Sequence, residues 1–185
     1  VSQAVLTHPT ETERKLSMSV TGKVAIDETS SINVSGRGSV KASGQHSYAG
    51  GSYGGRGGYY GGEASPEEFG SYTAPFDYGI GADDLRGGGA VRLAANELVL
   101  NGSIQANGSS NGSHGGAGSG GSVWLRVNQL SGAGKVSADG GSARSGYSGS
   151  GGGGGRVAIH YKSNEDFDLN KVSSVGGTSG SGSSS

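Results

Sequence analysis

The chain has 185 residues, of which 41 are glycine, and its formal net charge is −1. Only 31% of the residues are hydrophobic and none is cysteine, which argues against a conventional layered core and excludes disulfides, thiolate metal sites and cysteine catalysis. The near-neutral charge gives no electrostatic basis for binding nucleic acid, and no run reaches the roughly 18 apolar residues that membrane insertion as a helix requires.

The first segment, residues 1–15, is polar apart from Ala4-Val5-Leu6. Three apolar residues are enough to add one strand to a sheet edge, so the segment is predicted to exchange between copies of the protein. Residues 16–34 follow with apolar and polar side chains in alternation. That period of two is typical of β-strands.

Residues 37–89 form a Tyr-rich insertion that holds six of the eight tyrosines. Tyrosine and arginine on a Gly/Ser background are typical of binding loops, because rigid aromatic rings give contact area at low entropic cost. We therefore expect a contact surface made by Tyr48, Tyr53, Arg56, Tyr59, Tyr60, Tyr72 and Tyr78. The alternative is that these rings cover the end of the fold and its glycine strands.

Beyond the insertion the sequence repeats. Strand-like segments containing Val91, Val123 and Val157 are offset by 32 and 34 residues, and a second apolar patch, a short strand and a Gly/Ser tract follow each of them. Three strands that recur as a set predict one turn of a solenoid rather than evenly spaced hairpins. The predicted fold over residues 16–177 is all-β, a parallel β-helix or β-solenoid of about four turns. Its inward core stack is predicted to be Val91, Leu93, Val123, Leu125, Val157 and Ile159.

The Gly-rich tracts at residues 109–121 and 141–155 are predicted to form one corner of each turn. As flexible loops they would carry a high entropic cost of ordering. In an extended, polyglycine-II-like conformation the absence of Cβ atoms permits close backbone approach. We expect the packed arrangement, and we place the Ser/Gly tail, residues 178–185, outside the repeat.

Signatures of catalysis are weak in this sequence. Its Gly-x-Gly-x-x-Gly matches do not lie between a strand and an apolar helix, and its four histidines lack ligand spacing. We therefore predict no catalytic, cofactor-binding or metal residues and do not expect an enzyme. Two alternatives stay open because acidic residues gather in the insertion and at residues 165–168: calcium binding, and cleavage of a polysaccharide as a lyase or hydrolase.

Four short segments carry a resemblance to a known class of protein: Ile32-Asn-Val-Ser-Gly-Arg-Gly38, Gly102-Ser-Ile-Gln-Ala-Asn-Gly108, Gly134-Lys-Val-Ser-Ala-Asp-Gly-Gly141 and Gly151-Gly-Gly-Gly-Gly-Arg-Val-Ala-Ile-His-Tyr161. Over residues 16–177 the chain resembles the Gly-rich β-helix repeats of large secreted or surface-anchored bacterial and archaeal proteins. The resemblance implies an extracellular or cell-surface location and a structural role as a subunit or repeat segment of a fibre. Copies of the protein itself are the expected partners, joined through strand edges. The alternative is an adhesin module that binds a surface glycan through the Tyr-rich insertion.

Overall fold

A computed structural model describes residues 3–10, 15–61, 65–82 and 84–181. These residues contain ten β-strands and one short 3₁₀ helix, Leu169–Lys171. In chain order the strands are β1 (Val5–Leu6), β2 (Leu16–Ile26), β3 (Ser31–Asn33), β4 (Ala90–Leu100), β5 (Ser103–Gln105), β6 (Ser122–Ser131), β7 (Lys135–Ser137), β8 (Arg156–His160), β9 (Ser163–Asn164) and β10 (Val172–Ser173).

The strands form two five-stranded sheets in which all pairs are parallel. The long-strand sheet has the order β2-β4-β6-β8, with β9 also paired to β6. The short-strand sheet has the order β1-β3-β5-β7-β10. Strands β1 to β8 alternate between the sheets along the chain, and β9 is a second short strand of the long-strand sheet after β8. Each strand therefore pairs with its equivalent in the next repeat, and equivalent strands run in the same direction.

The predicted core positions fall into two rows across the long-strand sheet, Val91–Val123–Val157 and Leu93–Leu125–Ile159. The four members on β4 and β6 are fully buried. Val157 and Ile159 are only partly buried, because β8 lies at the edge of the sheet. Ile104 and Val136 of the short-strand sheet belong to the same hydrophobic cluster, so one narrow core lies between the sheets.

The prediction of a parallel β-helix, or β-solenoid, is wrong. The strands form two separate parallel sheets, and among the described residues no third ladder closes them into a coil. The physical reason lies in the Gly-rich segments that connect β5 to β6 and β7 to β8. A ladder requires each segment to pair along its length with one neighbour on each side. These segments instead distribute their hydrogen bonds among several neighbours.

The Gly-rich segments form an array that we call the glycine array, comprising residues 36–39, 47–58, 79–82, 86–89, 106–111, 115–121, 138–143, 149–155 and 174–180. The backbone N–H groups of residues 116, 117 and 118 donate in turn to the insertion, to the following Gly tract and to residues 106–111 of the same repeat. Those of residues 119, 120 and 121 donate in the same order. The recurrence every three residues is that of an extended helix with three residues per turn. The Gly tracts are thus packed backbone against backbone, as expected for segments that lack Cβ atoms.

The insertion belongs to the glycine array rather than standing apart from it. The Gly51 N–H donates to the Ala117 carbonyl at 2.9 Å, and the Gly153 N–H donates to the Gly51 carbonyl, also at 2.9 Å. Residues 47–58 therefore bridge two consecutive Gly tracts. The predicted exchange segment is also placed within the chain: β1 pairs with β3, although residues 1, 2 and 11–14 of that segment lie outside the described residues.

No helix among the described residues is long and apolar enough to cross a membrane.

Candidate functional site

The outer face of the long-strand sheet carries a group of aromatic and cationic side chains. Because side chains alternate along a strand, the residues between the buried core positions point outward. Arg92 of β4 and Trp124 of β6 are register neighbours in one outward row. Arg126 of β6 and His160 of β8 are neighbours in the next.

Cation–π contacts hold the insertion against this face. The Arg92 guanidinium lies 4.4 Å from the centroid of the Phe76 ring and 4.9 Å from that of Trp124. The Lys15 ammonium is 5.1 Å from the same Phe76 ring and pairs with the Asp77 carboxylate at 3.5 Å. Each such contact contributes about 0.5–1 kcal/mol at an exposed site. The set fixes residues 76–77 beside the sheet.

Arg156, at the start of β8, anchors an earlier part of the insertion. Its side chain is buried, and its Nε and Nη2 atoms donate to the Phe69 carbonyl at 3.0 and 2.8 Å. Its guanidinium also lies 4.0 Å from the centroid of the exposed Tyr72 ring. An arginine fork can make this pair of bonds and stack at the same time, which a lysine cannot do.

Tyr53 is fully buried beneath this anchor. Its hydroxyl is 2.7 Å from Ser122 Oγ, and its ring packs at 5.0 Å from that of Phe69. Burial raises the pKa of the Tyr53 phenol above its ordinary value of 10.0, since the ionised form would lose its hydration.

Thr73 joins the insertion to both outward rows. Its carbonyl accepts a hydrogen bond from Trp124 Nε1 at 3.2 Å, and His160 Nε2 lies 2.8 Å away from the same oxygen. A carbonyl oxygen can only accept, so the proton of His160 in this contact is on Nε2. The Thr73 backbone therefore forms a wall held by two side chains of the sheet.

An open groove of about 790 Å³ lies beside this wall. We call it the sheet groove. Ala94 gives it a small outward side chain on β4, the inward-facing Ala95 contributes to its floor, and Trp124 lines it beside them. Arg126, Tyr161 and Lys162 also line it, with Asn128, Val127, Val20, Ala74, Thr73 and His160. The groove runs across the strands, from β2 to the end of β8.

The sheet groove is positively charged within a chain whose net charge is −1. Arg126 and Lys162 are exposed, and neither side chain has a hydrogen bond or ion pair with any residue that the structure describes. None of the Asp and Glu residues that the structure describes lines the groove. Glu97, one row further along β4, is paired with Lys23 at 2.9 Å.

The residues predicted as one Tyr-rich contact surface lie in several separate environments. Tyr48 and Tyr60 both stack on His46, and their own rings pack at a tilt with centroids 4.9 Å apart. Tyr53 is buried and Tyr72 covers Arg156. Three further members lie elsewhere: Tyr78 packs at a tilt against His8, Tyr59 is 64% exposed, and Arg56 lies 3.8 Å from the Glu67 carboxylate.

Sequence reasoning missed the sheet groove. Trp124, Arg126, His160 and Tyr161 fall within predicted strand segments, and the sequence predicts no site at them or at Lys162. One signal was present: in Val123-Trp124-Leu125-Arg126 the inward residues are aliphatic, which puts a tryptophan and an arginine on the outward side of the same strand.

A second feature concerns the ends of the sheets. Among the described residues, β1 and β2 each have one unpaired edge on the side of the fold where the chain begins. β8, β9 and β10 have their unpaired edges on the opposite side. Six of the ten exposed large hydrophobic side chains lie on these strands or beside them: Val5, Leu6, Val20, Tyr161, Leu169 and Val175. We call these two surfaces the first end and the last end.

Among the described residues no group of three His, Asp or Glu side chains is placed to hold a metal ion. No protein-family model, curated protein or solved structure matches the chain. The resemblance to repeats of large surface proteins therefore stays a prediction.

Proposed function

We propose that the protein is a structural subunit that joins copies of itself end to end into an extracellular fibre. The observation that carries the proposal is that both parallel sheets end in open edges, with exposed apolar side chains at both ends. The location outside the cell is what the resemblance to repeats of surface proteins implies, and it is part of the proposal.

The two ends are complementary because every strand pair is parallel. In the short-strand sheet one row runs through Leu6, Ile32, Ile104, Val136 and Val172. Placing the first end of one copy against the last end of another sets Leu6 beside Val172 and continues that row. The same placement sets β2 beside β8, with Leu16 in the row of Val157.

Such a contact uses two different surfaces of the same chain. A contact of this kind leaves one free first end and one free last end after each addition, so it builds an open filament unless it closes into a ring. Unpaired strand edges recruit further strands unless charges, bulges or a covering element protect them. β2 has 11 residues and only one charged side chain, Lys23, and its register irregularity lies between Val20 and Lys23, away from the start of the strand.

The experiment compares lysine substitutions at the two ends with a matched control. Val5→Lys places a charge at the first end and Val175→Lys places one at the last end, where the parent side chains are 63% and 64% exposed. Val40→Lys, at a 51% exposed valine of the insertion, adds the same charge at a residue that is not on an edge strand. Mass is followed by light scattering over a concentration series, and particles are imaged by negative-stain electron microscopy.

We expect filaments for the wild type and for Val40→Lys, and monomers for each end variant alone. A mixture of the two end variants should stop at heterodimers, because one intact first end meets one intact last end and no further contact remains. A wild type that stays monomeric at its highest soluble concentration contradicts the proposal. Equal loss of association in Val40→Lys contradicts the placement of the contact.

A further inference from the structure

We infer that the sheet groove binds a segment of a carboxylated polysaccharide, a chain that contains uronic acids. This inference is independent of the proposed end-to-end association, because the groove lies on the outer face of the long-strand sheet and most of its lining comes from residues away from the two ends.

The charge of the groove selects an anionic ligand. Arg126 and Lys162 are exposed cations without a partner in the described part of the chain, and no carboxylate lines the groove to neutralise them. A guanidinium presents paired N–H donors that match the two oxygens of a carboxylate. Arg126 is therefore the side chain that we expect to recognise the acid group.

The shape and the aromatic lining favour a sugar chain as the carrier of that acid. The groove is open and crosses several strands, so it suits an extended ligand rather than a compact one. Ala94 leaves room on the outer face of the sheet near the Trp124 ring, and such an electron-rich ring attracts the weakly positive C–H groups of a sugar ring. Hydrogen bonds from Trp124 and His160 to Thr73 hold the adjoining wall in place.

A nucleic acid fits these observations less well. Proteins that bind phosphate backbones use many cations, and each neutralised phosphate adds to the affinity and to its salt dependence. Among the described residues the sheet groove has two cations without a partner, Arg126 and Lys162, on a chain with a net charge of −1. Two charges suit a chain of spaced carboxylates beside an aromatic platform.

The single tryptophan of the protein gives a direct readout, since all tryptophan emission comes from Trp124 in the groove. Hexagalacturonate is titrated into the full chain at low salt while that emission is recorded, and calorimetry gives an independent Kd. Cellohexaose serves as the uncharged ligand, and an oligothymidylate serves as the nucleic acid. We expect saturable binding of hexagalacturonate that weakens with added salt, and much weaker binding of the other two.

Arg126→Gln is the test variant, and Lys135→Gln is the matched control, because Lys135 is an exposed strand cation of the opposite sheet. Both substitutions remove one charge, and circular dichroism checks that both variants fold. Arg126→Gln should weaken hexagalacturonate binding about tenfold, as the loss of one charge-assisted hydrogen bond would, and Lys135→Gln should leave it unchanged. The inference is overturned by the absence of saturable binding, by equal affinity for cellohexaose or oligothymidylate, or by an equal effect of both substitutions.

Discussion

Replacing Gly120 by alanine tests whether the glycine array stabilises the fold through direct backbone contact. An added Cβ at this position would lie 1.9 Å from the Ala138 carbonyl oxygen and 2.6 Å from the Gly155 nitrogen. Ordinary carbon–oxygen contacts begin at about 3.3 Å. The backbone of one of the two neighbouring segments would have to move by more than 1 Å, about the difference between those distances.

That movement disturbs two hydrogen bonds. The Gly120 N–H donates to the Gly153 carbonyl at 2.9 Å, and the Gly155 N–H donates to the Ala138 carbonyl at 2.7 Å. Overpacking costs about 1–3 kcal/mol, and a buried backbone group left without its partner costs a similar amount. In the opposite direction, alanine lowers the conformational entropy of the unfolded chain, which stabilises the folded state by about 0.4–1 kcal/mol. We therefore expect Gly120→Ala to lower the free energy of unfolding by about 3 kcal/mol.

Gly112→Ala is the matched control, because a Cβ added there meets no atom within 4 Å. It should leave the stability unchanged or raise it by up to about 1 kcal/mol. Urea titrations monitored by circular dichroism and by Trp124 emission give both free energies. If Gly120→Ala is as stable as the wild type, or if the control is equally destabilised, the glycine tracts act as spacers and the reasoning fails.

Three further predictions concern single side chains. Leu125→Ala should lower the free energy of unfolding by about 2–5 kcal/mol, since this leucine is fully buried between the sheets; a loss below about 1 kcal/mol in urea titrations would contradict its core position. The raised pKa of Tyr53 means that its stabilising effect is complete below pH 10.0 and is lost as the pH rises through the raised pKa. Between pH 9 and 11 the free energy of unfolding should therefore fall less in Tyr53→Phe than in the wild type. Equal falls in the two proteins, measured by urea titration at each pH, would refute this. Arg156→Lys should release Phe69, because lysine cannot keep both bonds to its carbonyl; the readout is faster chymotrypsin cleavage after Phe69, and an unchanged rate would contradict the anchoring role.

Much of the strand pattern could be predicted from the sequence because it depends on local alternation. The period of two in residues 91–93 and 123–125 assigns inward and outward positions without reference to any distant residue. The spacing of 32 and 34 residues between the repeats likewise indicates which segments become neighbours, and Val91, Val123 and Val157 do lie in one row. Glycine content predicted close packing of the tracts, since only a residue without Cβ permits those contacts.

Tertiary structure alone decided how the segments connect and which side chains meet. Whether a Gly tract continues a ladder or donates to three different neighbours depends on the insertion, which brings residues 47–58 between the tracts that follow it in sequence. The sheet groove depends on contacts between Thr73 and side chains 51 and 87 residues away in sequence. The tyrosines of the insertion lie in separate environments because each responds to a different partner, such as Arg156 for Tyr72 and His46 for Tyr48. Composition cannot assign those partners, because such long-range contacts exist only once the sheets have aligned the repeats.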